Sequence, residues 1–465
     1  MQTKPQRSCR ASAMALLLAT APCMSAAQSQ ATSDTLTLPS PPDAGAARAP
    51  DQRYAVDILL VVAHPDDEMF VAPWLAKARL EQRQRIAVLY MTRGDAGGNV
   101  LGAEQGQSLA LVREIEARRA LALLGIDLVW FLDAPDTPAV DGHDVRRSLA
   151  AWDHGKRLGQ LVRVIRLTKP KVVVSMLPDV VVGENHGDHQ AAGVIATEAF
   201  DVAGDPAQFS EQLASSPDPT RFGQLLEGLH PWQPQKLYFF SDADAQDFLQ
   251  RRGPRYAVTD KSPAGRAYFR YWLGFAHTHQ TQYLNLPPED MPVPADGLPS
   301  RAFVLGKTLV GGRVTDDVLH GVREVLIDHS PPQVVSAKQD APVISLGGPW
   351  AFYRSFWSAH GLAHLAKLQA TPVLGVTRGS RNVVPILLRN DSANEILLSI
   401  EAKVPSPWTV EQPFARYPVP ANSVREVSIS ILAPERPEKT PALVELKLRA
   451  GDRILGDTSL AVHVR

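Results

Sequence analysis

Val56-Asp57-Ile58-Leu59-Leu60-Val61-Val62-Ala63-His64-Pro65-Asp66-Asp67-Glu68 decides the fold. Its first half is a short, unbroken apolar run rich in β-branched residues, as expected of a strand buried on both faces of a parallel sheet. Its second half breaks abruptly into a histidine, a proline and three carboxylates, just where a strand would hand over to a helix. Outward from it, strand-like runs recur at Ile86–Met91, Leu128–Leu132, Lys171–Met176 and Lys236–Phe240. Helical patterns lie between them at Met69–Gln84, Glu104–Leu124 and Arg146–Thr168, with Gly125 placed to close the second, and a further one runs from Gly265 to Tyr283. The alternation predicts an α/β domain, a Rossmann-like, mostly parallel sheet with helices on both faces, over residues 53–286.

The last hundred residues differ. Asn382–Leu388, Glu395–Ala402, Val424–Leu432 and Ala442–Leu448 are short alternating runs separated by Asn, Ser and Pro turns, which predicts a β-sandwich over 371–465. Residues 287–370 read as an intermediate linker region with a helix near Ala351–Lys367. Trp350, Phe352, Tyr353, Phe356 and Trp357 form an aromatic cluster there that reads as interdomain core, and Trp408 reads as a sandwich core residue. Asp201–Arg221 reads as a surface insertion.

At the other end, Lys4, Arg7 and Arg10 precede an apolar run from Ala11 to Ala21 and a Ser25-Ala26-Ala27 cleavage site. That order predicts a signal peptide over 1–27, a flexible leader over 28–52, and a mature protein in the periplasm or outside the cell. Both cysteines, Cys9 and Cys23, fall inside the address. A mature metal site must then use His, Asp and Glu. The chain has 465 residues, is 45% apolar and carries a formal net charge of −1. With acids and bases interspersed, nothing marks it for nucleic acid, and no later run is long and apolar enough for an integral membrane segment.

In open α/β sheets ligands bind beyond the C-terminal strand edges, where the acidic turn stands. His64 and Asp67 can converge on one point there, while Asp66 faces whatever occupies an open metal position. A second block, Glu184-Asn185-His186-Gly187-Asp188-His189, follows the strand Lys171–Met176 and precedes an apolar helix over Gln190–Phe200. Taken singly, the first block would also suit a helix start whose acids complement the dipole, and the second a pair of surface histidines. Together, at one edge of one sheet, they fit a site for one zinc ion per chain with two His, one Asp and water at the open position.

These two blocks resemble the signature of the PIG-L (LmbE-like) N-acetylglucosaminyl deacetylase family, over about Arg53 to Tyr283. The resemblance implies that His64, Asp67 and His189 bind zinc and that Asp66 is the general base. It implies that His186 stabilises the oxyanion or protonates the leaving amine, with Asp188 holding its ring. Arg93 and Asp95 resemble a Thr-x-Gly-Asp loop that lines the family's site, and Arg113 with Glu116 resembles its Arg-x-x-Glu helix. The run His277–Gln282 is similar to a late His-x-Ser-Gln element, although both of its histidines read as satisfied within the fold. Met69-Phe70-Val71-Ala72-Pro73-Trp74 is bulkier than the family's glycine-rich helix start. The C-terminal domain resembles immunoglobulin-like accessory modules beside glycan-active enzymes. The implied activity is hydrolysis of an N-acetyl group from an amino sugar or glycoconjugate. The alternatives are a zinc hydrolase of another amide or ester and a glycan-binding protein with an inactive deacetylase fold. A binding protein would need neither Asp66 nor His186.

Overall fold

A computed structural model describes residues 52–464 apart from 138–143, 181–185, 214–228, 244–248, 250–251, 257–260, 289, 293–300, 312–316, 324–342, 369–372 and 437–439. The expected signal peptide, nearly all of the expected leader, and part of the expected surface insertion lie outside the described residues.

The first strand, β1 (Ile58–Val62), is buried at every position. It is followed by α1 (Ala72–Leu80), β2 (Ile86–Thr92), α2 (Gln107–Ala122), β3 (Leu128–Ala134), α3 (Val145–Ala151), α4 (His154–Thr168), β4 (Val172–Met176), α5 (Gly187–Val202) and β5 (Lys236–Phe240). Two expected helices are broken. Residues Asp67–Val71 form a 3-10 turn before α1, with Pro73 in the first helical turn, where its missing N–H costs nothing. The Arg146–Thr168 pattern is split at Asp153, whose backbone is left-handed, into α3 and α4. Gly125 closes the α2 region with φ +65°. The two-residue strands β6 (Arg255–Tyr256) and β7 (Arg301–Ala302) flank α6 (Phe269–Thr278) and pair with each other. Next comes β8 (Val304–Thr308).

The main sheet has the order β3-β2-β1-β4-β5-β8, parallel except for β8, which runs antiparallel to β5. Helices α1, α2 and α6 pack together, and so do α3, α4 and α5. The chain leaves β1 toward β2 on one side and returns to β4 on the other. The strand order therefore reverses between β1 and β4, which opens a crevice at their C-terminal ends.

Residues 287–370, expected as a linker, supply an edge strand to each sheet system. β8 extends the parallel sheet beyond Leu286, and β9 (Ile344–Leu346) pairs with β11 (Arg381–Asn390) in the C-terminal layer. The expected helix there is α7 (Gly348–Ala359), followed by a 3-10 turn over Ala363–Lys367. Its aromatic face lies against the α/β layer: Tyr353 donates its hydroxyl to Gln190 Oε1 (2.9 Å), and Trp357 Nε1 donates to the Pro178 carbonyl (2.9 Å).

The C-terminal strands are β10 (Val373–Val376), β11, β12 (Ile396–Lys403), β13 (Thr409–Val410), β14 (Phe414–Val419), β15 (Ser423–Leu432), β16 (Ala442–Ala450) and β17 (Arg453–Val464). They form sheets of order β10-β17-β16-β12-β14 and β13-β15-β11-β9. Burial alternates along β12, β15 and β16, as a half-buried sheet requires. Trp408 is 3% exposed and belongs to that core. Among the described residues no helix is long and apolar enough to cross a membrane.

Candidate metal centre

The acidic turn is built on a strained backbone. Asp66 has φ 124°, a conformation that costs a non-glycine residue about 1–3 kcal/mol and persists only where neighbours enforce it. Asp67 provides part of that enforcement: its Oδ2 accepts the backbone N–H groups of Ala63 (3.0 Å) and His64 (2.7 Å). Glu68 reaches back to accept the N–H of Asp66 (3.0 Å) and meets His279 Nε2 at 2.6 Å. The end of β2 is tied to the same turn, since Thr92 donates both its N–H and its hydroxyl to the Ala63 carbonyl.

The second block arrives on α5. His186 is the N-cap, its Nδ1 accepting the Asp188 N–H (3.2 Å). One turn after His189, Gly193 lets the helix lie directly on the end of β4: a Cβ there would stand 2.3 Å from the Met176 carbonyl oxygen.

Three ligand atoms, one each from His64, Asp67 and His189, lie within 4.8 Å of one another. His189 Nε2 is 3.0 Å from Asp67 Oδ1, and its other ring nitrogen is 3.2 Å from Asp242 Oδ2. His64 has Nδ1 3.7 Å from Asp67 Oδ2, and Nε2 3.1 Å from Asp136 Oδ1 and 3.4 Å from Asp188 Oδ2. Each imidazole thus has a carboxylate behind it, the arrangement that fixes the tautomer and orientation of a metal-ligating histidine. A second group, His64 with His186 and Asp188, is equally compact. There, however, Asp188 already accepts the Thr137 hydroxyl (2.6 Å) and N–H (3.0 Å), so it suits a supporting role better than a ligand's.

The electrostatics fit a cation. Burial disfavours charge on His189, but Asp67 and Asp242 outweigh it and raise its pKa to about 10. Burial likewise opposes charge on His64, and Asp136, Asp188 and Asp67 nevertheless hold it well above the usual histidine range. Asp67 is held well below the carboxylate range despite burial, chiefly by His189 and His64. Asp66, by contrast, is pushed up to about 7 by burial and by the adjacent Asp67. Carboxylates at 66, 67, 136, 188 and 242 surround imidazoles at 64, 186 and 189, an excess of negative charge that a divalent ion would offset. The donor set of two imidazoles and one carboxylate suits zinc or another first-row divalent ion.

These residues line a cleft of 390 Å³, with Phe70, the 96–98 loop, Val100, Arg113, Thr137, Gln282 and Tyr283. Arg113 is buried and donates to the carbonyls of Gly94 (2.6 Å) and Gly98 (2.8 Å), so it shapes the loop as well as the wall. Glu116 is buried too. It accepts the N–H and hydroxyl of Thr281, and is no surface partner of Arg113. His277 Nε2 meets the Pro287 carbonyl and His279 Nε2 meets Glu68, whereas the buried Nδ1 of His279 has no hydrogen-bond partner among the described residues, so His279 is only half satisfied. The bulky helix start divides its labour: Phe70 faces the cleft, while Trp74 is buried against Phe303.

Three expectations need correction. Asp188 does not hold the His186 ring: residues two apart at a helix start do not face each other, and its carboxylate turns to Thr137 and His64. Asp188 and Asp136 nearby favour charge on His186 only weakly; burial, with His64 and His189 beside it, outweighs them and pushes its pKa down to about 3. Arg93 leaves the cleft, because Glu114, Asp133 and the face of Phe131 capture its guanidinium on the outer side of β3. Asp95 does not line the cleft either; its Oδ1 accepts the Asp136 N–H (3.3 Å) and steadies that loop. Sequence reasoning missed Asp136, Asp242 and Tyr283. The first two follow β3 and β5 at the same sheet edge, so the rule that exposed His64 would have found them.

Residues 59–200 match the family described as PIG-L: GlcNAc-PI de-N-acetylase. This segment of the chain is therefore similar to a PIG-L-family domain. Over 202 residues the chain is 29% identical to a 1D-myo-inositol 2-acetamido-2-deoxy-alpha-D-glucopyranoside deacetylase of Streptomyces avermitilis, covering 41% of the chain and 61% of that relative. Over 163 residues it is 29% identical to a diacetylchitobiose deacetylase of Thermococcus kodakarensis, covering 35% and 55% respectively. The matches thus span little more than half of each relative's length. Among solved structures, the N,N'-diacetylchitobiose deacetylase of Pyrococcus horikoshii aligns at 19% identity with a TM-score of 0.36, over 50% of this chain and 72% of that one. The PIG-L match contains His64, Asp66, Asp67, Arg113, Asp136, His186, Asp188 and His189; Asp242, His279 and Tyr283 lie beyond it.

Proposed function

We propose that this protein is a metal-dependent hydrolase that removes an N-acetyl group from an amino sugar or glycoconjugate, acting outside the cytoplasm after loss of an N-terminal signal. The observation that carries the reading is the convergence of His64, Asp67 and His189 beside Asp66 in one cleft. The relatives named for acetamido-sugar deacetylation support the substrate class.

His64, Asp67 and His189 would hold one zinc ion. A divalent ion there would polarise the amide carbonyl and make water nucleophilic at neutral pH. Asp66, facing the cleft with a raised pKa, takes the proton of the attacking water and is matched to that task near neutrality. His186 acts as a neutral imidazole. With Nδ1 occupied as an acceptor, its proton sits on Nε2, which supplies an N–H donor to the developing oxyanion. When the C–N bond breaks, the proton collected by Asp66 goes to the departing amine and the water oxygen leaves in acetate. The surrounding carboxylates favour an ammonium product and repel acetate.

Acetate release from N-acetylglucosamine, N,N'-diacetylchitobiose and a panel of other acylated amines and esters tests this. Acetate from the amino sugars supports the reading. Turnover confined to other acyl groups or esters overturns the substrate assignment.

A further inference from the structure

The stretch after α6 grips the acidic turn at successive points. His279 meets Glu68, the Gln282 side-chain amide donates to the Pro65 carbonyl, and the Tyr283 hydroxyl donates to Asp66 Oδ2 at 2.8 Å. The stretch is itself anchored. Thr281 donates twice to Glu116, and its carbonyl accepts the Val100 N–H at 2.9 Å. The whole stretch lies beyond the matched segment 59–200.

We propose that Tyr283 is a positioning residue that fixes the Asp66 carboxylate, holding Oδ2 so that the other oxygen is presented to the cleft. The proposal rests on the reading of Asp66 as general base. Among the described residues Tyr283 is the hydrogen-bond partner of that carboxylate. Without it, a short side chain on a backbone with φ 124° would turn freely about its own bonds, and its basic oxygen would spend less time toward substrate. Tyr283 serves as a donor and not as an acid: burial and the neighbouring Asp66 raise its pKa, so the phenol keeps its proton throughout the working range. Its ring lines the cleft, so the hydroxyl can be removed while the wall is kept.

The test is Tyr283→Phe, measured with N,N'-diacetylchitobiose alongside the native protein. The expected result is a fall in kcat of about tenfold to a hundredfold, the usual worth of a hydrogen bond to a charged group. KM, bound metal and melting temperature stay at native values. In an Asp66→Asn background the same change has no further effect, because the group being positioned is gone. A native kcat in Tyr283→Phe overturns the proposal. So does a loss matched by lost metal or lowered stability, which would make the hydroxyl merely structural. Native protein that releases no acetate from N,N'-diacetylchitobiose overturns the amino-sugar deacetylase reading on which the proposal rests, and this shows before any Tyr283 variant is made.

Discussion

Replacing Gly193 by alanine sets two effects of opposite sign against each other. Helix propensity alone favours alanine over glycine inside a helix by about 1 kcal/mol. Packing opposes it, since the added Cβ would meet Met176 O at 2.3 Å, Pro178 N at 2.9 Å and Leu177 C at 3.2 Å. All of these are backbone atoms at the end of β4, none of which can swing aside. Relief to ordinary contact requires α5 to retreat by about 1 Å, and overpacking of this kind typically costs about 1–3 kcal/mol. Packing therefore wins, and Gly193→Ala is expected to be less stable in urea denaturation. The second consequence is functional. His189 lies one turn earlier on the same helix, and metal–ligand distances tolerate only about 0.2 Å. Metal affinity, measured by competition with a chelator, should fall about tenfold or more. A variant that unfolds at or above the native urea midpoint and keeps native metal affinity would refute the claim that close packing of α5 on β4 places the ligand.

Asp242→Asn removes the charge behind His189, and metal affinity is expected to fall about tenfold to a hundredfold with the fold intact, as read by metal competition and circular dichroism. Arg113→Ala frees the carbonyls of Gly94 and Gly98; KM should rise while metal content stays native, and an unchanged KM would remove Arg113 from the cleft wall. His154 is raised by its bond to Glu198, so the pair's contribution to stability is present below the ordinary histidine pKa and is lost as pH rises through the raised value. The melting-temperature gap between native protein and Glu198→Gln should accordingly narrow from about pH 6 upward, and a gap that widened with pH would contradict the pairing.

The α/β layer was legible because its strands are continuous apolar runs that only a sheet covered on both faces can bury, as β1 and β4 are. The ligand blocks were legible because each gathers several chemical groups at one strand end. What escaped were single residues brought in by tertiary structure. Asp136 and Asp242 are lone carboxylates after β3 and β5, and Tyr283 reaches Asp66 across 217 positions of sequence. The direction of side chains escaped as well. Nothing in the spacing of His186 and Asp188 says that the ring caps the helix while the carboxylate turns away, and nothing in the loop around Arg93 shows that Phe131 and Glu114 will draw it outward. Residues 287–370 were opaque for a related reason: β8 and β9 are short, and only their partners in two different sheets define them.

The most direct test measures bound metal and acetate release together, on native protein and on Asp66→Asn, with N,N'-diacetylchitobiose as substrate. One equivalent of metal in both proteins, with acetate from the native one alone, is the expected result. The absence of stoichiometric metal from both would contradict the metal centre of His64, Asp67 and His189 on which the account stands.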